Sequence, residues 1–265
     1  MKVPKIEYDN VTKIFSTRRQ KITAVQDFSI KIDDGQFVSI VGPSGCGKST
    51  VIRLLNGIIP PTSGEIKIDG VPHGKKKLSK ERLKKMGFVF QEPNLLPWLT
   101  IKENVALPLK VFHMKESEDW ERVDELLNMV GLYETKDAYP TEVSGGMTQR
   151  AGVIRAMVHN PEILLMDEPF GSLDGITQDA LDMEILKVWE KTKKTIIFIT
   201  HNIDEAVLLS EKIFVMATQP GRLISIQDVH LPYPRELEMK ETHEFIDFSN
   251  MITNLLGELE LSIIK

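Results

Sequence analysis

The sequence feature that most constrains the fold is a glycine-rich segment at residues 42–50, Gly-Pro-Ser-Gly-Cys-Gly-Lys-Ser-Thr. It fits the pattern G-x-x-x-x-G-K-[ST], follows an apolar stretch at residues 37–41 and precedes apolar residues at helical spacing. In this strand–loop–helix order, backbone N–H groups of the loop wrap phosphate oxygens at the positive end of a helix. The segment therefore predicts a nucleotide-phosphate site at the end of a strand.

Short apolar runs at residues 36–41, 87–90, 162–166, 195–200 and 213–216 lack strict alternation. Such runs are typical of strands that are covered on both faces. Segments with helical spacing, at residues 48–56, 119–129 and 175–192, lie between them. This alternation predicts an α/β fold with a largely parallel sheet.

Other parts of the chain have different patterns. Residues 5–10, 29–33 and 65–69 alternate apolar and polar side chains, which predicts half-buried antiparallel strands. Residues 100–132 show no strand pattern, so we expect a helical insert there. After two prolines, an amphipathic pattern resumes with Phe245, Phe248, Ile252 and Leu255.

Composition narrows the class of protein. The net charge of −5 gives no indication of a basic nucleic-acid-binding surface, so we expect no nucleic-acid partner. The one cysteine, Cys46, excludes an internal disulfide framework and a multi-cysteine metal site. No apolar run reaches the roughly 18 residues of a membrane span. Residues 1–8 contain no apolar core of a secretory signal, so we expect a soluble intracellular protein.

Two acidic residues follow the apolar run at residues 163–166. Asp167 suits the coordination shell of Mg²⁺, and Glu168 suits the activation or positioning of a water molecule. The local sequence alone fits a solvated strand end equally well, and the phosphate loop upstream favours the functional interpretation.

A second glycine-containing helix start lies at Ser144, Gly145 and Gly146. Ser144 is the expected N-cap of a helix over residues 147–158. Taken locally, a plain capped helix is the favoured interpretation, although such a helix start also suits an anion.

Together these segments resemble the nucleotide-binding subunit of ABC transporters over about residues 6–227. Residues 42–50 are similar to the Walker A motif, residues 163–168 to Walker B, residues 144–148 to the signature motif and residues 172–174 to the D-loop. Gln91 matches the Q-loop, His201 the switch histidine and Phe15 the aromatic A-loop position. The chain departs from the family pattern at four positions, Val143, Met147, Thr148 and Gln178.

The resemblance implies a fold and a domain organisation. It implies a P-loop NTPase core of RecA-like type with an N-terminal antiparallel β subdomain and a helical subdomain insert. The cassette is expected at residues 1–230, with the helical subdomain at about residues 100–160. Residues 231–265 are expected to form a C-terminal helical extension.

The resemblance also implies ATP and Mg²⁺ as cofactors and ATP hydrolysis as the activity. Two chains would pack head to tail, with ATP between residues 42–50 of one and residues 144–146 of the other. The expected catalytic residues are Glu168, His201, Lys48 and Gln91, and the expected Mg²⁺ ligands are Ser49, Gln91 and Asp167. The expected nucleotide-binding residues are Phe15, Gly42, Pro43, Ser44, Gly45, Cys46, Gly47, Lys48, Ser49, Thr50, Ser144, Gly145, Gly146 and Asp174. The sequence has no Asn-Lys-x-Asp guanine-reading motif, which favours ATP over GTP.

Within this family, the chain resembles importer ATPases of the nitrate, sulfonate and taurine group. The similarity lies in Cys46, Met147 and residues 93–98 and 231–235. It implies membrane permease subunits as partners, an external solute-binding protein as an indirect partner, and a peripheral location on the cytoplasmic face of the membrane. The solute would be a small anion or a vitamin precursor. The alternative is a soluble ABC ATPase of DNA repair or translation.

Two further expectations concern single segments. Cys46 lies beside Lys48 before a helix start, which predicts a lowered thiol pKa and a reactive thiol. Residues 91–109 contain a proline-interrupted stretch that carries Leu95, Leu96, Trp98 and Leu99. An exposed apolar patch there would mark a binding site, and the resemblance implies a permease helix as its partner, with Trp98 as anchor. The alternative is that these side chains fill the seam between the subdomains.

Overall fold

The computed structural model describes residues 3–16, 20–73, 78–114, 117–171 and 173–264. The chain forms two compact units. The flanking unit comprises Met1–Leu78 and Lys193–Lys265, and the central unit comprises Ser79–Thr192. The strands are β1 (Ile6–Ser16), β2 (Lys21–Ile32), β3 (Phe37–Val41), β4 (Ser63–Ile68), β5 (Val71–His73), β6 (Met86–Val89), β7 (Ile163–Asp167), β8 (Thr195–Ile199), β9 (Lys212–Ala217) and β10 (Arg222–Asp228). The helices are α1 (Lys48–Leu55), α2 (Lys80–Lys84), α3 (Ile101–Val111), α4 (Ser117–Met129), α5 (Gly145–Met157), α6 (Gly175–Thr192), α7 (Ile203–Leu209) and α8 (His243–Ile264).

The flanking unit contains the N-terminal antiparallel sheet, in the order β2-β1-β4-β5. It also contains β3, which pairs in parallel with β8 on one side and β9 on the other. β10 follows β9 as an antiparallel strand. Every residue of β3 and β8 is buried, as expected for parallel strands covered on both faces.

The central unit combines a parallel strand pair with helices. β6 and β7 pair in parallel, with Val89 opposite Met166. Of the helices in this unit, α3, α4 and α5 occupy the region predicted as a helical insert and its continuation. A capping box at Thr100 begins α3, since the Thr100 hydroxyl accepts from the Glu103 N–H and the Glu103 carboxylate accepts from the Thr100 N–H.

The predicted fold class is confirmed: an α/β chain with parallel pairing, an antiparallel N-terminal sheet and a helical insert. The helix expected at residues 175–192 has those bounds, and the helices expected at residues 48–56 and 119–129 differ from them by one or two residues. β1 and β2 run much longer than predicted, because irregular pairing steps along β1 interrupt the alternation that marks a strand. The division into a cassette and a C-terminal extension stays a prediction.

Within the flanking unit, one buried cation holds the C-terminal segment against α7. The Nη1 group of Arg235 lies within hydrogen-bond distance of the carbonyl oxygens of Val207 (3.0 Å), Leu208 (2.9 Å) and Ser210 (2.8 Å). The last carbonyls of a helix have no partner within the helix, and a cation there also opposes the negative end of the helix dipole. Arg235 therefore caps α7, and α8 follows with Phe245 and Ile252 fully buried.

In the part of the chain that the structure describes, none of the helices combines the length and the apolar character that crossing a membrane requires.

We expect Arg235→Met to lower the free energy of unfolding by about 2–4 kcal/mol, because buried carbonyls would lose a charged donor. Chemical denaturation of the two proteins measures this difference. Arg222→Met is the matched control, because Arg222 is exposed on β10. We expect that control to stay within about 0.5 kcal/mol of the wild type. Equal stability of all three proteins would contradict the capping role of Arg235.

Candidate functional site

Residues 42–50 form a tight loop between β3 and α1. The buried Lys48 ammonium donates to the carbonyl oxygens of Gly42 (2.6 Å) and Pro43 (3.2 Å), which holds it against the loop. Gly47 has φ +96°, and a Cβ built there would lie 2.6 Å from the carbonyl oxygen of Ala24. Glycine is therefore required at this position both for its backbone conformation and for the close approach of another strand.

The start of α1 suits an anion. Gly47 is its N-cap residue and offers no side-chain oxygen to the first N–H groups of the helix. Ser49 and Thr50 are half-buried on the first turn, and Ser44 and Gly45 are exposed on the loop before it. Unsatisfied N–H groups at a helix start favour a phosphate ligand.

In the flanking unit, His201 and the loop at residues 42–50 lie at the same edge of the sheet. β8 runs parallel to β3, with Ile199 opposite Ile40, so the carboxyl ends of the two strands lie side by side. His201 follows β8 and is exposed. Asn202 then caps α7, because its Oδ1 accepts from the N–H of Asp204 at 3.0 Å. Ligands of parallel sheets bind at this edge.

Phe15 lies on β1 and is 40% exposed, with the Lys13 ammonium 5.2 Å from its ring centroid. It is not a core aromatic residue. Its ring is accessible for stacking on a base, and that role stays a prediction.

In the central unit, two expected site residues stand at the end of β7. Asp167 is buried, and Glu168 follows it with φ +47°. This left-handed backbone conformation is rare for residues other than glycine and is strained. Because β6 is parallel to β7, Gln91, just beyond β6, leaves the same sheet edge as Asp167 and Glu168. The unit thus brings these three side chains to one edge.

The second helix start is confirmed as a serine cap. The Oγ of Ser144 accepts from the N–H of Met147 at 3.3 Å, at the beginning of α5. Ser144 and Gly145 are exposed, and Gly146 is half-buried. The residues at this helix start are therefore accessible to a ligand from outside the chain.

Sequence reasoning missed Gln149, one turn into α5. This residue is 2% exposed, and its Nε2 donates to the carbonyl oxygens of Gln91 (3.3 Å) and Pro169 (2.5 Å). The signal was present, because Gln149 shares a helix face with Val153 and Ala156 at spacings of four and seven residues. A polar residue on an apolar face indicates a buried hydrogen bond.

Asp174 begins α6. Its carboxylate accepts from the Thr177 N–H at 3.0 Å and from the Thr177 hydroxyl at 2.7 Å. These hydrogen bonds lower the pKa of Asp174. The expected contact of Asp174 with nucleotide stays a prediction, and Ser172 of the same motif lies outside the described residues.

No cluster of three or more His, Cys, Asp and Glu side chains that could hold a metal ion occurs among the described residues. The expected donors are instead the hydroxyl of Ser49, the amide oxygen of Gln91 and the carboxylate of Asp167. This all-oxygen set with one carboxylate fits Mg²⁺, which takes one or two protein carboxylates together with substrate phosphates.

Residues 91–99 form an irregular segment, as their prolines predict. Asn104 of α3 holds this segment, donating to the carbonyl oxygens of Leu96 and Leu99 at 3.0 Å and accepting from the Leu96 N–H at 2.7 Å. Leu95, Leu96 and Leu99 are half-buried, whereas Trp98 is 69% exposed. Trp98 therefore does not belong to the core of the central unit.

The expectation of a reactive Cys46 is wrong. The thiol is fully buried, and burial raises its pKa more than the nearby Lys48 charge and the backbone hydrogen bonds lower it. Cys46 packs beneath the loop, since a Cβ built on Gly42 would lie 2.8 Å from its Sγ. The sequence shows the neighbouring positive charge but not the side of the loop that the thiol faces.

We expect the native protein to react with a maleimide at least about 10²-fold more slowly than an unfolded cysteine, because the thiolate is the reactive form and is disfavoured here. Labelling that is quenched at successive times and analysed by mass spectrometry measures the rate. The same chain in guanidinium chloride is the control and should label completely. Native labelling as fast as that control would contradict the buried placement of the thiol.

Comparisons with known proteins identify the family of the chain. Residues 25–171 match the sequence model of a family described as ABC transporter. An ABC transporter ATP-binding protein of Methanocaldococcus jannaschii, MJ0412, is 38% identical over 265 residues, covering 100% of this chain and 96% of that protein. The aliphatic sulfonates import ATP-binding protein SsuB of Bacillus thuringiensis is 40% identical over 255 residues, covering 96% of each chain.

The fold is also found in a solved structure of the ATP-binding cassette MJ0796, a dimer in a post-hydrolysis state bound to ADP and Pi. That chain is 33% identical, with a TM-score of 0.77 over 86% of this chain and 100% of its own. Sequence and structure thus agree on the P-loop NTPase fold. The chain belongs to the ATP-binding subunits of the ABC transporter family and is an ATPase of that type.

Proposed function

We propose that this ATPase drives solute import through a membrane permease, hydrolysing MgATP at the interface of a head-to-tail dimer. The observation that carries the proposal is the similarity, over nearly the full length of both chains, to a sulfonate import ATP-binding protein. The exposed Trp98, on the segment that follows Gln91, supports a partner beyond the ATPase itself.

The phosphate site is assigned to the loop at residues 42–50. Lys48 binds the β- and γ-phosphates, and the N–H groups of the loop and of the start of α1 bind phosphate oxygens. Ser49, Gln91 and Asp167 would hold Mg²⁺, which would neutralise part of the phosphate charge. The Lys48 contacts with Gly42 and Pro43 support this assignment, because they place the ammonium at the loop.

Hydrolysis is assigned to Glu168, which positions and activates the attacking water. His201 and Gln91 contact the γ-phosphate region, and Phe15 stacks on the adenine. The strained backbone at Glu168 supports its role, since strain of this kind concentrates at functional sites.

The dimer explains why one chain carries two phosphate-type helix starts, those of α1 and α5. In the proposed arrangement, Ser144, Gly145 and Gly146 of one chain bind the phosphates held by the other, and Asp174 lies near them. The exposure of Ser144 and Gly145 supports a ligand presented from outside the chain. The ATP-binding cassette MJ0796 forms a dimer bound to ADP and Pi.

The proposed solute is an aliphatic sulfonate or a related small anion, on the basis of the named relative. Nitrate, taurine and a vitamin precursor are the other solutes that the sequence suggested. The chain would act on the cytoplasmic face of the membrane, together with permease subunits and, indirectly, an external solute-binding protein. A role in DNA repair or translation is disfavoured, because the import relative matches almost the entire chain.

We expect Glu168→Gln to lower ATP hydrolysis at least about 10²-fold, because it removes the base while keeping the shape of the side chain. ATP should then hold the chain as a dimer, which size-exclusion chromatography with light scattering measures. Glu162→Gln is the matched control, because Glu162 is exposed and pairs with Lys85 at 3.0 Å. Wild-type hydrolysis by Glu168→Gln would overturn the assignment.

We expect Trp98→Ala to weaken assembly with the permease at least about 10-fold, because large exposed aromatic side chains concentrate interface energy. Hydrolysis by the isolated subunit should stay within a few-fold of the wild type. Co-purification with the permease measures assembly. Trp120→Ala is the control, because Trp120 is also partly exposed (37%) but lies on α4. Unchanged assembly together with lost hydrolysis would show that Trp98 serves the ATPase instead.

A further inference from the structure

A row of three residues on α5, Gln149, Gly152 and Arg155, faces the backbone at residues 91–94. We call this row the α5 clamp. Its members are spaced three residues apart, so they follow one another along one side of the helix. The contacts of the α5 clamp with residues 91–94 and with Pro169 lie within the central unit.

The first member binds two separate stretches of chain. Gln149 is 2% exposed, and its Nε2 donates to the carbonyl oxygen of Gln91 at 3.3 Å and to that of Pro169 at 2.5 Å. A primary amide nitrogen has two N–H groups, so one side chain can serve both carbonyls. The peptide carbonyls of Gln91 and of the residue after Glu168 are thereby fixed to the same atom.

The other members hold the rest of the segment. A Cβ built on Gly152 would lie 3.1 Å from the Cβ of Pro93, so the helix and the segment approach closely there. The guanidinium of Arg155 donates to the carbonyl oxygens of Pro93 and Asn94, the latter at 2.9 Å. The backbone from Gln91 to Asn94 is therefore bound to α5 at both ends.

We propose that Gln149 is a positioning residue for hydrolysis, which fixes Gln91 and Glu168 relative to α5, the helix that begins with the signature residues. This inference rests on the roles proposed above for Gln91, Glu168 and Ser144. A displacement of α5 at its Ser144 end is transmitted to both side chains, because a single amide links their backbones. Errors of about 1 Å in such positioning lower rates by up to about 10²-fold.

The energetics favour this role over simple packing. An amide buried on an apolar helix face is destabilising unless it is hydrogen-bonded, and a leucine there would fill similar space at no such cost. The hydrogen bonds go to carbonyls of two proposed catalytic segments rather than to α5 itself. Neither bond involves residues 42–50, which carry the proposed phosphate contacts. Loss of the amide should therefore affect the catalytic step more than ATP binding.

The test is Gln149→Leu, compared with Arg150→Met as a matched control on the same helix. Arg150 also donates to a backbone carbonyl, that of Val130 at 2.7 Å, but on another part of the unit. We expect Gln149→Leu to lower kcat at least about 10-fold while the Kd for ATP changes less than about 3-fold, the pattern of a lost transition-state interaction. We also expect amide hydrogen exchange at residues 91–96 to accelerate at least about 10-fold, as local opening becomes easier. The control should leave exchange at residues 91–96 unchanged.

Two further variants make the result decisive. Gln149→Met keeps the length and flexibility of the side chain but removes the N–H donors, and we expect the same changes from it, including in the event that Gln149→Leu does not fold. In a Gln91→Ala background, Gln149→Leu should lower kcat by a smaller factor, because the two residues act together. Wild-type kcat and exchange in both Gln149 variants would overturn the proposal, as would equal loss in both backgrounds. The exchange measurement needs no activity, so failure of the Glu168 assignment would be seen separately, in Glu168→Gln.

Discussion

Parallel pairing between short, buried strands is the constraint on which the site depends. β3 and β8 in the flanking unit, and β6 and β7 in the central unit, each end at a common edge. Paired parallel strands end at the same edge, so the residues that follow them also lie at that edge. The loop at residues 42–50 therefore lies beside His201, and Gln91 lies beside Asp167 and Glu168. Apart from Asp167, the last residue of β7, the proposed site residues lie outside these strands. The burial of these strands, complete in β3, β7 and β8, fixes the positions from which the loops start.

The loops that follow these strands are held in place by hydrogen bonds with several polar side chains. Lys48 binds carbonyls of its own loop, Asp174 caps α6, and Gln149 binds carbonyls beside Gln91 and Glu168. Each of these groups has backbone partners, and Asp174 in addition accepts from the Thr177 hydroxyl. Preorganisation of this kind lowers the reorganisation that a reaction would otherwise require.

The C-terminal segment is also held by a side chain that donates to backbone carbonyls. Arg235 satisfies the final carbonyls of α7, the helix that begins one residue after Asn202 and two after His201. Because Asn202 caps one end of that short helix and Arg235 the other, its position is specified at both termini. The residues before α8 thus act on the stability of the helix that follows His201.

The sequence by itself determined the features that depend on neighbours along the chain. The glycine pattern at residues 42–50, the acids at the end of β7, the serine cap at Ser144 and the helix at residues 175–192 each have a local signature, and the structure contains each of these elements. Only the tertiary structure decided the features that depend on contacts distant in sequence. Cys46 is buried with a raised pKa because of what packs over it, and Trp98 is exposed on a segment that Asn104 holds. Gln149 binds the carbonyls of two residues that lie 58 and 20 positions away in the sequence. The periodicity of the sequence does not indicate which carbonyls a buried amide will bind.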